Sequence, residues 1–300
     1  MPYAGEIAAL TSAVLWSFTS MFFTSASRRI GSYHLNKFRI LFAVVFLGAS
    51  LLISTGRLLP AGISNEAYIY LIISGIIGLT LGDLCLFSAF VMLGTRLTLL
   101  IFSVSPIITA IIAWILLGET LGLYAVIGIV VTISGISWVT AERVPANNRQ
   151  TQQESKRGLG ILLALGGAAG QAIGLVLAKA GMGDSLAPLP ATFLRMTAAA
   201  AAVWLIGMIR RDNGVTLKKI KDHRAMWLAL GGSVCGPFLG VWMSLVAIKY
   251  TETGIAAALM ATVPILVIPL VIIFYKEKVS LKAAIGAIIA VAGAALLFLT

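Results

Sequence analysis

Apolar residues along this chain come in long unbroken runs separated by short polar stretches. Ten such runs occur, at about 5–26, 35–55, 67–93, 97–117, 121–141, 158–180, 188–209, 225–249, 253–275 and 279–299. A helix needs about 20 residues to cross a hydrocarbon core, and the runs match that length. They do not alternate apolar with polar residues, as the strands of a membrane barrel would. Inside lipid every backbone polar group must find a partner within the protein, so continuous runs predict helices. The longest polar stretch, 142–157, holds Pro145, Asn147, Asn148 and Gln150 and divides the runs into two groups of five. A second polar loop, 210–224, joins the seventh run to the eighth.

The pattern also repeats. Ser105-Pro106-Ile107 falls on Val263-Pro264-Ile265 at an offset of 158, and Gly118-Glu119-Thr120 falls on Lys276-Glu277-Lys278. At the same offset Gly128 and Gly135 fall on Gly286 and Gly293, and Ser74, Gly78 and Gly82 on Gly232, Gly236 and Gly240. Five crossings return the chain on the other side of the membrane, so the second half is expected upside down relative to the first. The expected fold is an all-α integral membrane protein of ten transmembrane helices in two inverted five-helix repeats. The repeats cover 1–141 and 158–300, joined by the linker 142–157.

Composition narrows the class further. Of 300 residues, 59% are hydrophobic and only 11% charged, so a soluble domain could not hide this surface. The net charge of +11 does not point to nucleic acid, because the basic residues sit in loops between the runs. There they read as topology signals and lipid headgroup contacts. One side collects 18 of the 22 Lys and Arg residues, in clusters such as Arg28/Arg29, Arg143 to Arg157 and Arg210 to Arg224. The positive-inside rule then predicts both termini outside the cytoplasm and the linker inside. The first run has no basic residue before it and reads as a spanning helix, not a cleaved signal. Cys85 and Cys235 both fall inside predicted helices and read as unpaired small hydrophobes.

The twin Pro106 and Pro264, the Gly118-Glu119 and Lys276-Glu277 pairs, the glycines after them, and Arg39 and Arg195 in the second helix of each half carry a resemblance. The chain resembles the EamA-type branch of the drug/metabolite transporter superfamily over nearly its whole length. Within that branch it is similar to the YddG-type exporters of aromatic and other neutral amino acids. The resemblance implies ten helices around one central cavity, with the fifth and tenth peripheral, and secondary transport of a small molecule across a bacterial-type inner membrane.

The residues themselves offer candidates for that cavity. Asp83 is the only acid deep in a predicted helix. A charge there opposes insertion by about 2.5–3.5 kcal/mol, so it reads as a proton-coupling group, a contact for a substrate ammonium, or half of a packing ion pair. Arg39 and Arg195 lie about one turn inside their helices. Each could hold a carboxylate bidentately at a gate, cap a helix end, or snorkel to headgroups. Pro106 and Pro264 predict a kink in the fourth helix of each half, as a gating point or a static bend. Trp16 beside Ser12, Gln171 at nearly the same level, Phe87, Phe238 and Trp242 could form an aromatic wall with a few polar groups. Such a wall suits a zwitterion with an apolar side chain. The bland alternative is ordinary packing, and Trp114, Trp138 and Trp227 read as interfacial belts. Glu119 and Glu277 read as first-turn carboxylates that complement helix dipoles. The glycine ladders read as close helix packing, and those of the fifth and tenth helices as a scaffold contact or a dimer face.

No catalytic cluster, metal-binding spacing, ATP-hydrolysing motif or cofactor-binding motif is evident. The expected function is secondary transport, not enzymatic: export of neutral or aromatic amino acids or similar small metabolites by alternating access. Two other substrate classes stay open, an anionic phosphorylated metabolite and a lipophilic cation. A membrane-embedded enzyme or a channel is the alternative outside transport. The expected partners are the substrate, the bilayer and, if Asp83 couples transport, protons. One chain encloses a cavity, so a monomer suffices and a dimer stays open.

Overall fold

The computed structural model describes residues 3–58, 63–141, 157–275 and 280–299. The sequence expectations for Arg143, Arg149, Lys156, Lys276, Glu277 and Lys278 lie outside the described residues. Among the described residues the secondary structure is helical, with no strand. Six stretches are long and apolar enough to cross a membrane: Ala4–Ile30, Ser32–Thr55, Asn65–Leu93, Arg157–Met182, Pro188–Ile209 and His223–Tyr250. Shorter apolar stretches are Ser105–Leu117, Leu123–Trp138, Thr253–Val267 and Ala284–Leu296. The outer surface is studded with exposed Leu, Ile and Val, and Trp114, Trp138 and Trp227 are exposed on it.

The chain enters through α1 (Ala4–Ile30), which has Glu6 in its first turn and Arg28 and Arg29 in its last, complementing the helix dipole. Gly31 adopts φ +84 and lets the chain turn directly into α2 (Ser32–Thr55). The third element is longer than the hydrophobic pattern predicts. It runs as α3 (Asn65–Ser74), a π-helical segment Gly75–Gly82, and α4 (Asp83–Phe102). The eighth run is built the same way: α10 (His223–Ser233), a π segment Val234–Gly240, and α11 (Val241–Tyr250). Pro237 lies inside the second π segment and has no N–H to give to an α-helical ladder.

The prolines end helices where the sequence predicted kinks within them. Helix α4 stops at Phe102 and α5 (Ser105–Leu117) starts with Pro106 in its first turn. Helix α12 (Thr253–Met260) stops before α13 (Val263–Tyr275), which carries Pro264. Each break comes four residues before the proline, where the ring would clash with the helical carbonyl. The same local bonds close both breaks: Val104 N–H donates to Ile101 O at 3.2 Å, and Thr262 N–H to Leu259 O at 3.2 Å. Pro269 sits inside α13 without ending it.

The remaining elements are α6 (Leu123–Ala141), α7 (Arg157–Met182), α8 (Pro188–Ile209), a short α9 (Asn213–Lys218) followed by a 3-10 turn Lys219–Lys221, and α14 (Leu281–Leu296). The α9 helix occupies the loop read from sequence as merely polar. Close glycine contacts order the helices. Helix α7 runs antiparallel along α3 and α4, with Gly174 on Gly78 and Gly170 on Gly82. Helix α1 runs along α10 and α11, with Thr19 at Gly236 and Trp16 at Gly240. Gly128 meets Leu297, and Gly293 meets Thr132, so these glycines of α6 and α14 pack within the chain.

Candidate functional site

The Arg39–Asp83 ion pair lies between α2 and α4. Its Arg39 side chain is 5% exposed and its Asp83 side chain 17%. Arg39 Nε also donates to Asn36 Oδ1 at 2.6 Å. Its guanidinium lies 5.2 Å from the centroid of Phe87 and 5.8 Å from that of Phe23, so it bridges α1, α2 and α4. Aromatic faces and an acid together make a site where a buried guanidinium is stable.

A second group stands further along the same helices. Seven-residue spacing puts Trp16 on the Phe23 face of α1 and Phe46 on the Arg39 face of α2. Phe46 lies 5.7 Å from Phe238, and Phe238 stacks on Trp242 at 6.2 Å. Trp16, Phe238 and Trp242 share one cluster and are only partly buried, whereas the Ile40, Ala43 and Leu47 beneath them are buried. The sequence candidates Arg39, Asp83 and Phe87 therefore meet between α1, α2 and α4, and Trp16, Phe238 and Trp242 cluster where α1 passes the second π segment and α11.

Other candidates are placed differently. Ser12 is fully buried and donates to the Gly240 carbonyl at 2.8 Å, satisfying an oxygen at the end of the π segment. Gln171 is half-buried beside the Gly170–Gly82 contact. Pro106 is buried and Pro264 half-buried, each at its helix break. Ser105, next to Pro106, donates to Ala168 O of α7 at 3.1 Å.

Arg195 sits apart from the Arg39 group, against the first π segment. Its carbonyl presses on Gly75 and its guanidinium lies beside Gly78. It is 2% exposed, and its Nε and Nη1 have no hydrogen-bond partner among the described residues.

Lys37 is the residue sequence reasoning missed. Its side chain is 0% exposed, and it forms an ion pair with Asp212. It also donates to Asn213 Oδ1 at 3.0 Å and Thr216 Oγ1 at 3.2 Å, and its Nζ lies 4.5 Å from the Tyr33 centroid. The signal was available: shifted by 158, Lys37 falls on Arg195. Arg29 pairs with Asp222 at 2.9 Å, so the 28–37 and 210–224 connections meet at one end of the bundle.

Around Lys179 runs a different network. Glu119 lies in the loop between α5 and α6, so the expected role at its own helix start does not hold. Its carboxylate instead accepts from Thr253 N–H at 2.7 Å and Thr253 Oγ1 at 2.8 Å, capping α12, and pairs with Lys179 at 2.7 Å. Lys179 also donates to Thr251 O, and Thr251 Oγ1 to Glu6 Oε1. Lys249 is held by the carbonyls of Asp184 and Leu186. Cys85 and Cys235 are free, and among the described residues no group of His, Cys, Asp and Glu could hold a metal ion.

The outer boundary groups titrate under local control. Burial pushes the Asp212 carboxyl up, but the hydrogen bonds from Lys37 and Tyr33 and the charges of Lys37 and His34 together outweigh it and hold the group below the usual carboxylate range. Asp222 is lowered too, by the Arg29 hydrogen bond and then by the Ala225 N–H it caps.

Three comparisons bear on the family. A "Crystal structure of protein" superposes with a TM-score of 0.77 at 18% identity, covering 100% of this chain and 98% of that one. That likeness establishes the fold. A protein described as "Uncharacterized transporter", from Clostridium kluyveri (strain ATCC 8527 / DSM 555 / NBRC 12016 / NCIMB 10680 / K1), is 30% identical over 127 residues. The match takes in 42% of this chain and 40% of that relative's length. The EamA-like transporter family profile matches residues 3–141 and again 158–299. The chain is a multi-pass membrane protein that belongs to the EamA-like transporter family.

Proposed function

We propose that this protein is a secondary transporter that exports neutral, including aromatic, amino acids across a bacterial-type inner membrane. The observation that carries this reading is the Arg39–Asp83 pair, with a half-buried aromatic group further along the same helices. A zwitterion presents one carboxylate and one ammonium a few ångströms apart. Arg39 can take the first and Asp83 the second, exchanging one ion pair for two. Trp16, Phe238 and Trp242 supply the apolar wall for the side chain.

In this reading ten helices cross the membrane as two inverted five-helix repeats, with the termini outside. Access alternates as the helices broken before Pro106 and Pro264 rock about the two π segments. The Glu119–Lys179–Thr253 network closes one end, and Lys37–Asp212 closes the other. A monomer is sufficient, and Asp83 is the candidate for proton coupling. A second reading, exchange of an anionic metabolite, draws on the unpartnered donors of Arg195. It is weaker because Lys179 and Lys249, the other cations it would use, are already engaged.

The test is counterflow of labelled phenylalanine into proteoliposomes preloaded with unlabelled amino acid. Preloading is expected to stimulate uptake, and Asp83→Asn to weaken phenylalanine exchange by removing the ammonium contact and to abolish the response to a pH gradient. Absence of stimulation with folded protein would remove neutral amino acids. Unchanged gradient-driven flux in Asp83→Asn would remove that residue from coupling.

A further inference from the structure

The segment 213–221 carries two kinds of side chain at once. Val215, Leu217 and Ile220 are exposed and apolar, while Lys218, Lys219 and Lys221 are interleaved with them. Packing among the described residues does not cover these apolar groups, although Thr216 of the same segment is fully buried against α2, where it receives the Lys37 hydrogen bond. The segment is thus anchored on one side and open on the other.

Beside it lies a cleft of about 570 Å³ lined by Arg29, Lys218, Lys219, Lys221, Arg224 and Asp222. Five of those six side chains are cationic, and the one acid is already paired to Arg29 at 2.9 Å. The cleft therefore holds a surplus of positive charge. It opens at the end of α1, where the last turn carries Arg28 and Arg29. Cations beside exposed apolar side chains, on a short helix at the end of a membrane bundle, make an interfacial segment. The apolar groups enter the acyl boundary while the ammonium groups meet headgroup phosphates.

We propose that this cleft is a binding site for the phosphate headgroup of an anionic phospholipid, with Lys218, Lys219 and Lys221 as its principal contacts. A bound lipid spans the 3-10 turn and the end of α1. It thereby steadies the α9 segment whose Asp212, Asn213 and Thr216 hold Lys37. The site does not depend on what the protein transports.

The experiment reconstitutes the full chain in phosphatidylcholine bilayers and measures the immobilised fraction of spin-labelled phosphatidylglycerol against spin-labelled phosphatidylcholine. Wild type is expected to prefer the anionic lipid. The preference is expected to fall about fivefold for each lysine removed in Lys218→Gln, Lys219→Gln and Lys221→Gln combined. Raising the salt to 1 M should remove it in wild type without any substitution. An equal charge change at Arg57, Arg157 and Lys282, which are exposed and do not line the cleft, should leave it in place. Equal loss in that control would reduce the effect to net charge and overturn the site. A wild-type preference that survives 1 M salt, or that inorganic phosphate at millimolar concentration cancels, would overturn it as well. The latter result would assign the cleft to a soluble anion.

Discussion

Positions 158 residues apart do different work in the two halves of this molecule. In one seam α1 lies on α10 and α11, and in the other α7 lies on α3 and α4. Shifted by 158, Trp16 corresponds to Gly174 and Ser12 to Gly170. In the α7 seam a Cβ at Gly174 would stand 2.8 Å from the Gly78 Cα, so the backbones themselves touch. In the α1 seam an indole fills the equivalent place, 3.1 Å from where a Gly236 Cβ would be. One seam is sealed by small residues, and the other is held apart by an aromatic ring. The half-buried aromatic group follows the second seam. The paired cations diverge likewise. Lys37 has Asp212, whereas the position 158 before Asp212 is Ser54, and Arg195 has no acid partner among the described residues. A repeated scaffold can thus be closed backbone to backbone along one seam and spaced by a ring along the other through a few side chains.

The largest expected break in this comparison comes from the cations. Asp212→Asn leaves the buried Lys37 ammonium with neutral acceptors alone, among them Asn213 and Thr216. Removing one partner of a buried pair destabilises by about 3–5 kcal/mol, and the partial exposure of Asp212 places this one near or below the lower end. Arg195→Met removes a buried charge that has no countercharge, so it should leave stability unchanged or raise it. Thermal midpoints in detergent check both. A drop for Arg195→Met as large as that for Asp212→Asn would mean that Arg195 is satisfied in the folded protein, and the contrast would be lost.

The seams give the next effect. Gly174→Ala forces the α7 backbone away from Gly78 and should destabilise by about 1–3 kcal/mol. At Gly236 the nearest atoms to a new Cβ are Thr19 Cγ2 at 2.7 Å and the Trp16 ring edge. Side chains can turn aside where backbone cannot, so Gly236→Ala should lower the midpoint less than Gly174→Ala. By tilting Trp16 it should weaken phenylalanine counterflow more. Equal midpoints and equal transport in the two variants would sink the distinction.

Much of this was legible in the sequence, for reasons that also explain what was not. Long apolar runs are written residue by residue, so most helices stand close to the predicted ranges, although α4 continues through the predicted gap at 94–96 to Phe102. Pro106 and Pro264 announced a defect in each half, but a proline constrains the turn before it. The helices therefore end at Phe102 and Met260 instead of bending through. The π segments leave little local trace, because a wide turn is stabilised by partners elsewhere, such as Ser12 on the Gly240 carbonyl. The same applies to Glu119, whose partner Thr253 is 134 residues away. Arg39 and Asp83 could each be singled out as costly charges in a membrane, but only the fold shows that they meet. Lys37 was hidden by its neighbours: among so many basic loop residues it reads as one more topology signal.

The smallest expected effect separates the two cations by pH. The Asp212 carboxyl is held below its ordinary value in the folded protein. Its tie to Lys37 therefore contributes fully above the unfolded carboxylate value, near pH 3.9, and is lost as pH falls through the lower folded value. Asp222, also lowered by Arg29, adds a loss of the same sign in the same range. Arg195 has no carboxylate partner among the described residues and adds no such term. Thermal midpoints should decline on acidification below about pH 4. Asp212→Asn should flatten part of that decline, and the double change with Asp222→Asn should flatten more. Arg195→Met should leave the slope unaltered. A slope that Asp212→Asn fails to change would place the acid-sensitive contact elsewhere, and a slope altered by Arg195→Met would reveal an acidic partner for that guanidinium.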